Sequence, residues 1–375
     1  MMSWRIVPLP ILAGLLLCLV AVPPARAADT NVGPDAKDVQ AVADKAIEYL
    51  RSKQESDGSW SPKTAGPGVT ALVVAALLRN GVGPDDPTVA KALKFLEKNV
   101  NKDGGIYTGD RLNNYTTCVG LMAFQEANLK DKKYEAIVKN ASKYLKGLQH
   151  DADDKDVQYG GLGYTKGKRP DMSNTAYFVD AMIAAGVSKD DPAIQRALKF
   201  ISRSQNLPGE TNDQPFAKKT TDDDKGGFVY RPDADDKEHM TPEGGLRSLG
   251  AMTYGGLKSF LYAGVDKKDP RVQGAVKWIR GHYTLDENPG MKQAGLYYYY
   301  HTFGKAMTAL GEDQFEDAKK VKHDWHKELF EALKKRQKDD GHFVNDGDRV
   351  FGEADPNLAT AFALLTLSYT KATTK

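Results

Sequence analysis

The chain has 375 residues, long enough for a large hydrophobic core. Its 52 Lys and Arg against 50 Asp and Glu leave no charge bias toward nucleic acid or an acidic partner. It carries two cysteines, Cys18 and Cys118.

Residues 1–27 read as a cleaved secretory signal peptide. Arg5 supplies a basic start, Ile11 to Val22 form an apolar run of 12 residues, and Ala25-x-Ala27 gives a small-residue cleavage pattern. The run is short of the ~20 residues that a spanning helix needs. Leu17 rather than a small residue precedes Cys18, which argues against a lipid anchor, and no later apolar run reaches spanning length. The mature chain, residues 28–375, is therefore expected to be one secreted or periplasmic domain without a transmembrane anchor. Only Cys118 remains in it, so no internal disulfide can form.

One phrase then recurs: an aromatic-Leu pair, a Gln, then Asp-Gly and an aromatic. It is clearest at Tyr49 to Trp60 and at Ala332 to Phe343, with the Gln and the aromatic six residues apart in both (Gln54 and Trp60; Gln337 and Phe343). Looser copies lie between, two of them stretched by acidic insertions. Each copy is followed by an apolar segment opened by a threonine: Thr70, Thr117, Thr175, Thr253, Thr302 and Thr360. These segments are apolar nearly all round, which predicts buried helices. The helices that lead into the Gln phrases are amphipathic; Val89, Ala92, Leu93, Leu96 and Val100 fall on one face, with lysines opposite. Gly186 and Gly264 signal helix ends, and Asp355 is placed to cap the last buried helix. Six buried and six amphipathic helices predict an all-α fold, an α/α toroid with an inner and an outer ring. The apolar end of the last unit favours closure onto the first over an open solenoid with polar caps.

Over roughly Ala43 to Tyr369, the Gln…Gly-aromatic phrase resembles the QW motif of the squalene–hopene cyclase and protein prenyltransferase β-subunit superfamily. The resemblance implies several chemistries, because one fold hosts many. Class II cyclisation uses an Asp-x-Asp-Asp acid whose middle member stays protonated among its neighbours. The match here is "PDADD", with Asp235 as the implied acid and Asp233 and Asp236 beside it. The sequence departs from that pattern in three ways. "KEHMTPEGGLRS" separates the quartet from the buried helix, Lys237 favours ionised carboxylates, and the same word recurs at Asp151 to Asp154. The alternative is a solvated loop or a weak calcium-binding loop. The zinc prenyltransferases are matched only by His301 ahead of Thr302. The Asp and Cys that should accompany it are missing one repeat earlier, so neither metal nor other cofactor is expected. A third implication is a toroid that binds or acts on a glycan, or binds a protein.

Read without the family, the ring centre offers its own candidates. Asp180 and Lys258 both stand five residues after their threonines, where the other repeats carry Ala75, Met122, Met307 and Leu365. Buried charges are costly unless paired, so a contact between Asp180 and Lys258 is expected. Glu243 and Arg247 are read as starting the helix of Lys258, and Asp171 and Asn174 as starting that of Asp180. Together with Tyr300 and a neutral His301 at a helix N-terminus, they are expected to converge on the ring's wide end. Tyr297 to Tyr300 cannot all face one way; some fill the seam left by a missing Gln phrase and others can line the mouth. His323 and His326 flank Asp324 at metal-compatible spacing but are read as an exposed helix start. The expected ligand is an apolar or polyisoprenoid small molecule, a glycan or a protein, and no nucleic acid.

Overall fold

The computed structural model describes residues 32–128, 132–233, 239–348 and 350–371. Six apolar helices form the inner ring: α3 (Pro67–Arg79), α5 (Asn113–Ala127), α7 (Met172–Ala184), α9 (Gly250–Tyr262), α11 (Leu296–Leu310) and α13 (Pro356–Thr370). Each packs on the next, and α13 packs back on α3, so the ring is closed. Six amphipathic helices surround it: α1 (Ala36–Ser52), α4 (Pro87–Lys98), α6 (Glu135–Lys146), α8 (Pro192–Arg203), α10 (Pro270–Gly281) and α12 (Trp325–Lys334). A short helical turn, α2 (Pro62–Ala65), leads into α3. A two-residue-per-strand hairpin, β1 (Phe315–Glu316) with β2 (Lys322–His323), precedes α12.

Local sequence sets the helix starts. Four helices open with Asp-Pro: Asp86, Asp191, Asp269 and Asp355 each accept a bond from the backbone N–H two residues on, ahead of a proline in the first turn. Asp355 thus caps α13 as expected. Gly186 and Gly264 follow α7 and α9 with φ of 73° and 76°, the left-handed geometry that ends a helix.

The repeated phrase joins neighbouring units. Gln54 Nε2 donates to the carbonyls of Gly58, in its own turn, and Thr88, in the first turn of α4 (3.1 and 2.9 Å). Gln149 and Gln205 do the same to Gly160 and Ala193 and to Gly226 and Arg271. Gln337 bonds Gly341 and, 295 positions back, Val42 of α1 at 2.9 Å, closing the outer ring. The threonines complete the joint: Thr70, Thr117, Thr175, Thr253 and Thr360 accept the N–H of Trp60, Ile106, Leu162, Phe228 and Phe343 at 2.9–3.1 Å. A Gln337→Leu change leaves two part-buried carbonyls without their donor. It is expected to lower stability by ~1–3 kcal/mol in urea unfolding.

Thr302 is the exception: it donates back to the Tyr298 carbonyl, as Thr175 and Thr253 do to theirs, but accepts no turn N–H among the described residues. There the tyrosines tie the turn instead: Tyr299 donates to Thr284 O at 2.7 Å and Tyr300 to Leu285 O. Helix α11 has no capping side chain of its own, and Glu353 reaches in to accept from the N–H groups of Tyr297 and Tyr298.

Candidate functional site

Inner helices present every third or fourth residue to the ring axis. On α11 these are Tyr298, His301 and Lys305; on α7, Tyr177 and Asp180; on α9, Lys258. They meet at one polar cluster. Lys258 Nζ lies 2.5 Å and Lys305 Nζ 2.6 Å from the same Asp180 oxygen, Oδ2. All three side chains are buried. The other oxygen, Oδ1, is buried with no hydrogen-bond partner among the described residues. Burial opposes ionisation of Asp180, but the two ammonium groups outweigh it and hold the carboxyl below its usual range. Burial pushes Lys258 down to about 8, against the pull of Asp180.

His301 sits beside this cluster. Burial, with Lys305, Arg79 and Lys258 nearby, drives its pKa well below the ordinary value, so the imidazole is neutral. Its Nδ1 is buried and without a hydrogen-bond partner among the described residues. The same cations oppose a divalent ion at this imidazole, and no group of three or more metal-ligating side chains occurs among the described residues.

Aromatic rings run from α5 to α13 along the wall. Tyr115 meets Tyr177 edge-on at 5.2 Å, Tyr177 stacks on Tyr298 at 5.9 Å, and Phe362 follows at 6.0 Å. His301 lies 5.8 Å from Phe362 and 5.9 Å from Tyr369. Past His301, Arg79 holds Tyr369 through its hydroxyl and Glu126 Oε1 at 2.6 Å.

The expected contact between Asp180 and Lys258 is therefore present, and Lys305 is a partner that alignment on the fifth residue missed. Lys305 stands three residues after Thr302, on the same face by helical spacing; a lysine inside an apolar helix was the available signal. Other candidates lie elsewhere. Glu243 and Arg247 do not start α9, which begins at Gly250. They are exposed in a turn closed by the Met240–Leu246 bridge and by Thr241, so they do not join the cluster. Tyr300 is fully buried and spent on Leu285, while Tyr298 is the tyrosine that reaches the axis. Asp171 and Asn174 do start α7: Asp171 caps it, and Asn174 bonds both Asp171 and Asn114. His326 is buried against Trp325 at 3.6 Å rather than exposed, because Trp325 and His326 both turn inward.

Asp235 and Asp236 lie outside the described residues. Asp233 is described and forms an ion pair with Arg169. The twin stretch is a surface insertion, where Asp154 is exposed and pairs with Lys199 at 3.3 Å.

A closed double ring with a charged, hydroxyl-rich axis defines an α/α toroid with a central polar site. A profile of the squalene–hopene cyclase C-terminal domain matches residues 62–222. A squalene–hopene cyclase from Bradyrhizobium diazoefficiens is 28% identical over 188 residues, which cover 50% of this chain and 21% of that protein. Among solved structures, the type II terpene cyclase MstE from Scytonema superposes with a TM-score of 0.51 and 13% identity, covering 88% of this chain and 98% of that one. An inactive α-1,6-mannanase variant from Salegentibacter sp. HEL1_6, in complex with α-1,6-mannotriose, gives 0.59 at 9% identity, covering 89% and 100%. Over residues 62–222 the chain is thus similar to squalene–hopene cyclases, and its fold is that of the α/α toroids.

Proposed function

We propose that the protein is an exported, single-toroid relative of the cyclases that binds a polar, hydroxyl-bearing ligand on its axis, with a glycan as the favoured class. The carrying observation is the Asp180 cluster. Two ammonium groups share one carboxylate oxygen, while Asp180 Oδ1 and His301 Nδ1 are buried without partners. Buried polar atoms left unpaired call for a donor, and hydroxyl groups supply one. The tyrosine-lined wall suits the mixed apolar and polar faces of a sugar. The mannotriose complex of a similarly folded mannanase is consistent with this class of ligand.

A polyene cyclisation fits the same site poorly. It develops a carbocation, and the cluster carries two ammonium groups against one carboxylate. One excess positive charge about 6 Å away opposes such an ion by ~3 kcal/mol at an effective dielectric near 20. The cyclase reading keeps one specific support, the Asp233 to Asp236 quartet beside the matched region. There Asp233 is already engaged in an ion pair with Arg169.

The mature chain should therefore retain oligosaccharide from a mixed glycan and lipid pool. Lys258→Met, which leaves an Asp180–Lys305 pair, should weaken retention by ~10-fold. Conversion of squalene to a cyclic product by the wild type, lost in Asp235→Asn, would overturn the proposal.

A further inference from the structure

A second site lies outside the ring. The turn at 102–104, helix α6 and the loop around Thr165 enclose an open surface groove of ≈ 650 Å³. Asn113, the first residue of α5, lines it. The residue is 6% exposed and its amide meets the Tyr144 hydroxyl, yet its Oδ1 is buried with no hydrogen-bond partner among the described residues. Tyr144 lines the groove with a half-buried ring, steadied by stacking on Tyr107 at 5.7 Å. Three exposed lysines, Lys102, Lys143 and Lys166, also line it, and none is in an ion pair among the described residues. The lining carboxylate, Asp103, accepts from the Tyr107 hydroxyl at 2.7 Å and the Gly105 N–H at 2.9 Å, and Asp110 also acts on Tyr144 from nearby.

These groups specify a ligand. Three cations outnumber the nearby carboxylates, and the net positive charge attracts an anion. The acceptor at Asn113 needs a donor from a small group that reaches between the walls. An aromatic face beside polar groups suits the C–H face of a sugar ring. A uronic acid joins all three features in one residue, a carboxylate, hydroxyl donors and an apolar face. An acidic peptide offers the charge without the hydroxyls. We infer that the groove formed by Asn113, Tyr144, Lys102, Lys143 and Lys166 is a binding site for an acidic oligosaccharide, separate from the Asp180 cluster.

The test is calorimetric titration of the mature chain with tetragalacturonate, its fully methyl-esterified form and tetraglutamate. Tetragalacturonate should bind, more weakly as salt is raised, and the ester at least ~10-fold more weakly. Lys143→Ala with Lys166→Ala should cost ~10-fold or more, as should Tyr144→Ala, while Lys277→Ala, on the exposed face of α10, should leave this binding unchanged. The inference fails if tetragalacturonate does not bind or if tetraglutamate binds as well. It also fails if the groove variants have no effect while Lys258→Met abolishes binding, which would move the ligand to the ring axis.

Discussion

Replacing Asp180 by Asn is expected to destabilise the fold by ~3–5 kcal/mol, measured as a loss in urea-unfolding free energy, with no comparable loss for Lys258→Met. The asymmetry follows from the charge arrangement. Two buried ammonium groups depend on one carboxylate oxygen, at 2.5 and 2.6 Å. Removing the carboxylate leaves both cations desolvated and mutually repelling, and breaking a buried pair by deleting one partner costs that much. An asparagine oxygen still accepts a hydrogen bond but carries no countercharge. Removing Lys258 instead leaves Asp180 with Lys305, one anion with one cation. The methionine restores much of the apolar volume, so the loss should stay within ~1–2 kcal/mol.

The pH response separates this account from simple packing. Lys258 is pushed down to about 8 in the fold, from an ordinary value near 10.5. Between those values the unfolded chain binds more protons at this position than the folded chain. The Lys258 contribution to stability therefore rises as pH rises through that window. Lys258→Met should flatten the stability profile between about pH 8 and 10. If Asp180→Asn and Lys258→Met cost the same, and the profile is unchanged, the cluster is not the charged assembly described.

Much of the ring was legible from the sequence because repetition and helical periodicity act locally. Six threonine-led apolar segments became six inner helices, and the apolar last segment closed onto the first. The contact of Asp180 with Lys258 was legible for a related reason, since equal positions on neighbouring inner helices lie at one level. Lys305 was not, because it stands three rather than five residues after its threonine, in the repeat where that threonine bonds only back into its own helix among the described residues. Glu243 and Arg247 were misplaced by a turn whose closing bonds, around Thr241 and Gly245, have no periodic signature. The tyrosine run was ambiguous in sequence, because which ring faces the axis depends on where Thr284 and Leu285 sit across the seam.

The glycines of the repeated phrase show the same joint from the backbone side, and they give the other large expected effect. Gly160→Ala should destabilise by at least ~4 kcal/mol or prevent folding, whereas Gly167→Ala should cost only ~1–2 kcal/mol. Both glycines have positive φ, 85° and 70°, so both substitutions meet the left-handed penalty of an L-residue. Only at Gly160 does the new Cβ also strike backbone, 1.8 Å from the Arg196 carbonyl oxygen of α8; at Gly167 nothing lies within 4 Å. A carbonyl inside a helix cannot swing away, so α8 must retreat from the turn. That retreat would also break the bonds from Gln149 to Gly160 and Ala193, a combined loss among the largest that single substitutions cause. The same contact recurs between Gly58 and Lys91, Gly104 and Asn140, Gly226 and Gly274, and Gly341 and Lys45, at 2.5, 2.7, 2.2 and 2.2 Å from the carbonyl oxygens. The last of these lies at the closure of the ring. Thermal unfolding of the two alanine variants side by side removes the shared φ penalty and leaves the helix-to-turn approach. Equal melting temperatures would mean that the outer helices do not need the glycine to pack this closely.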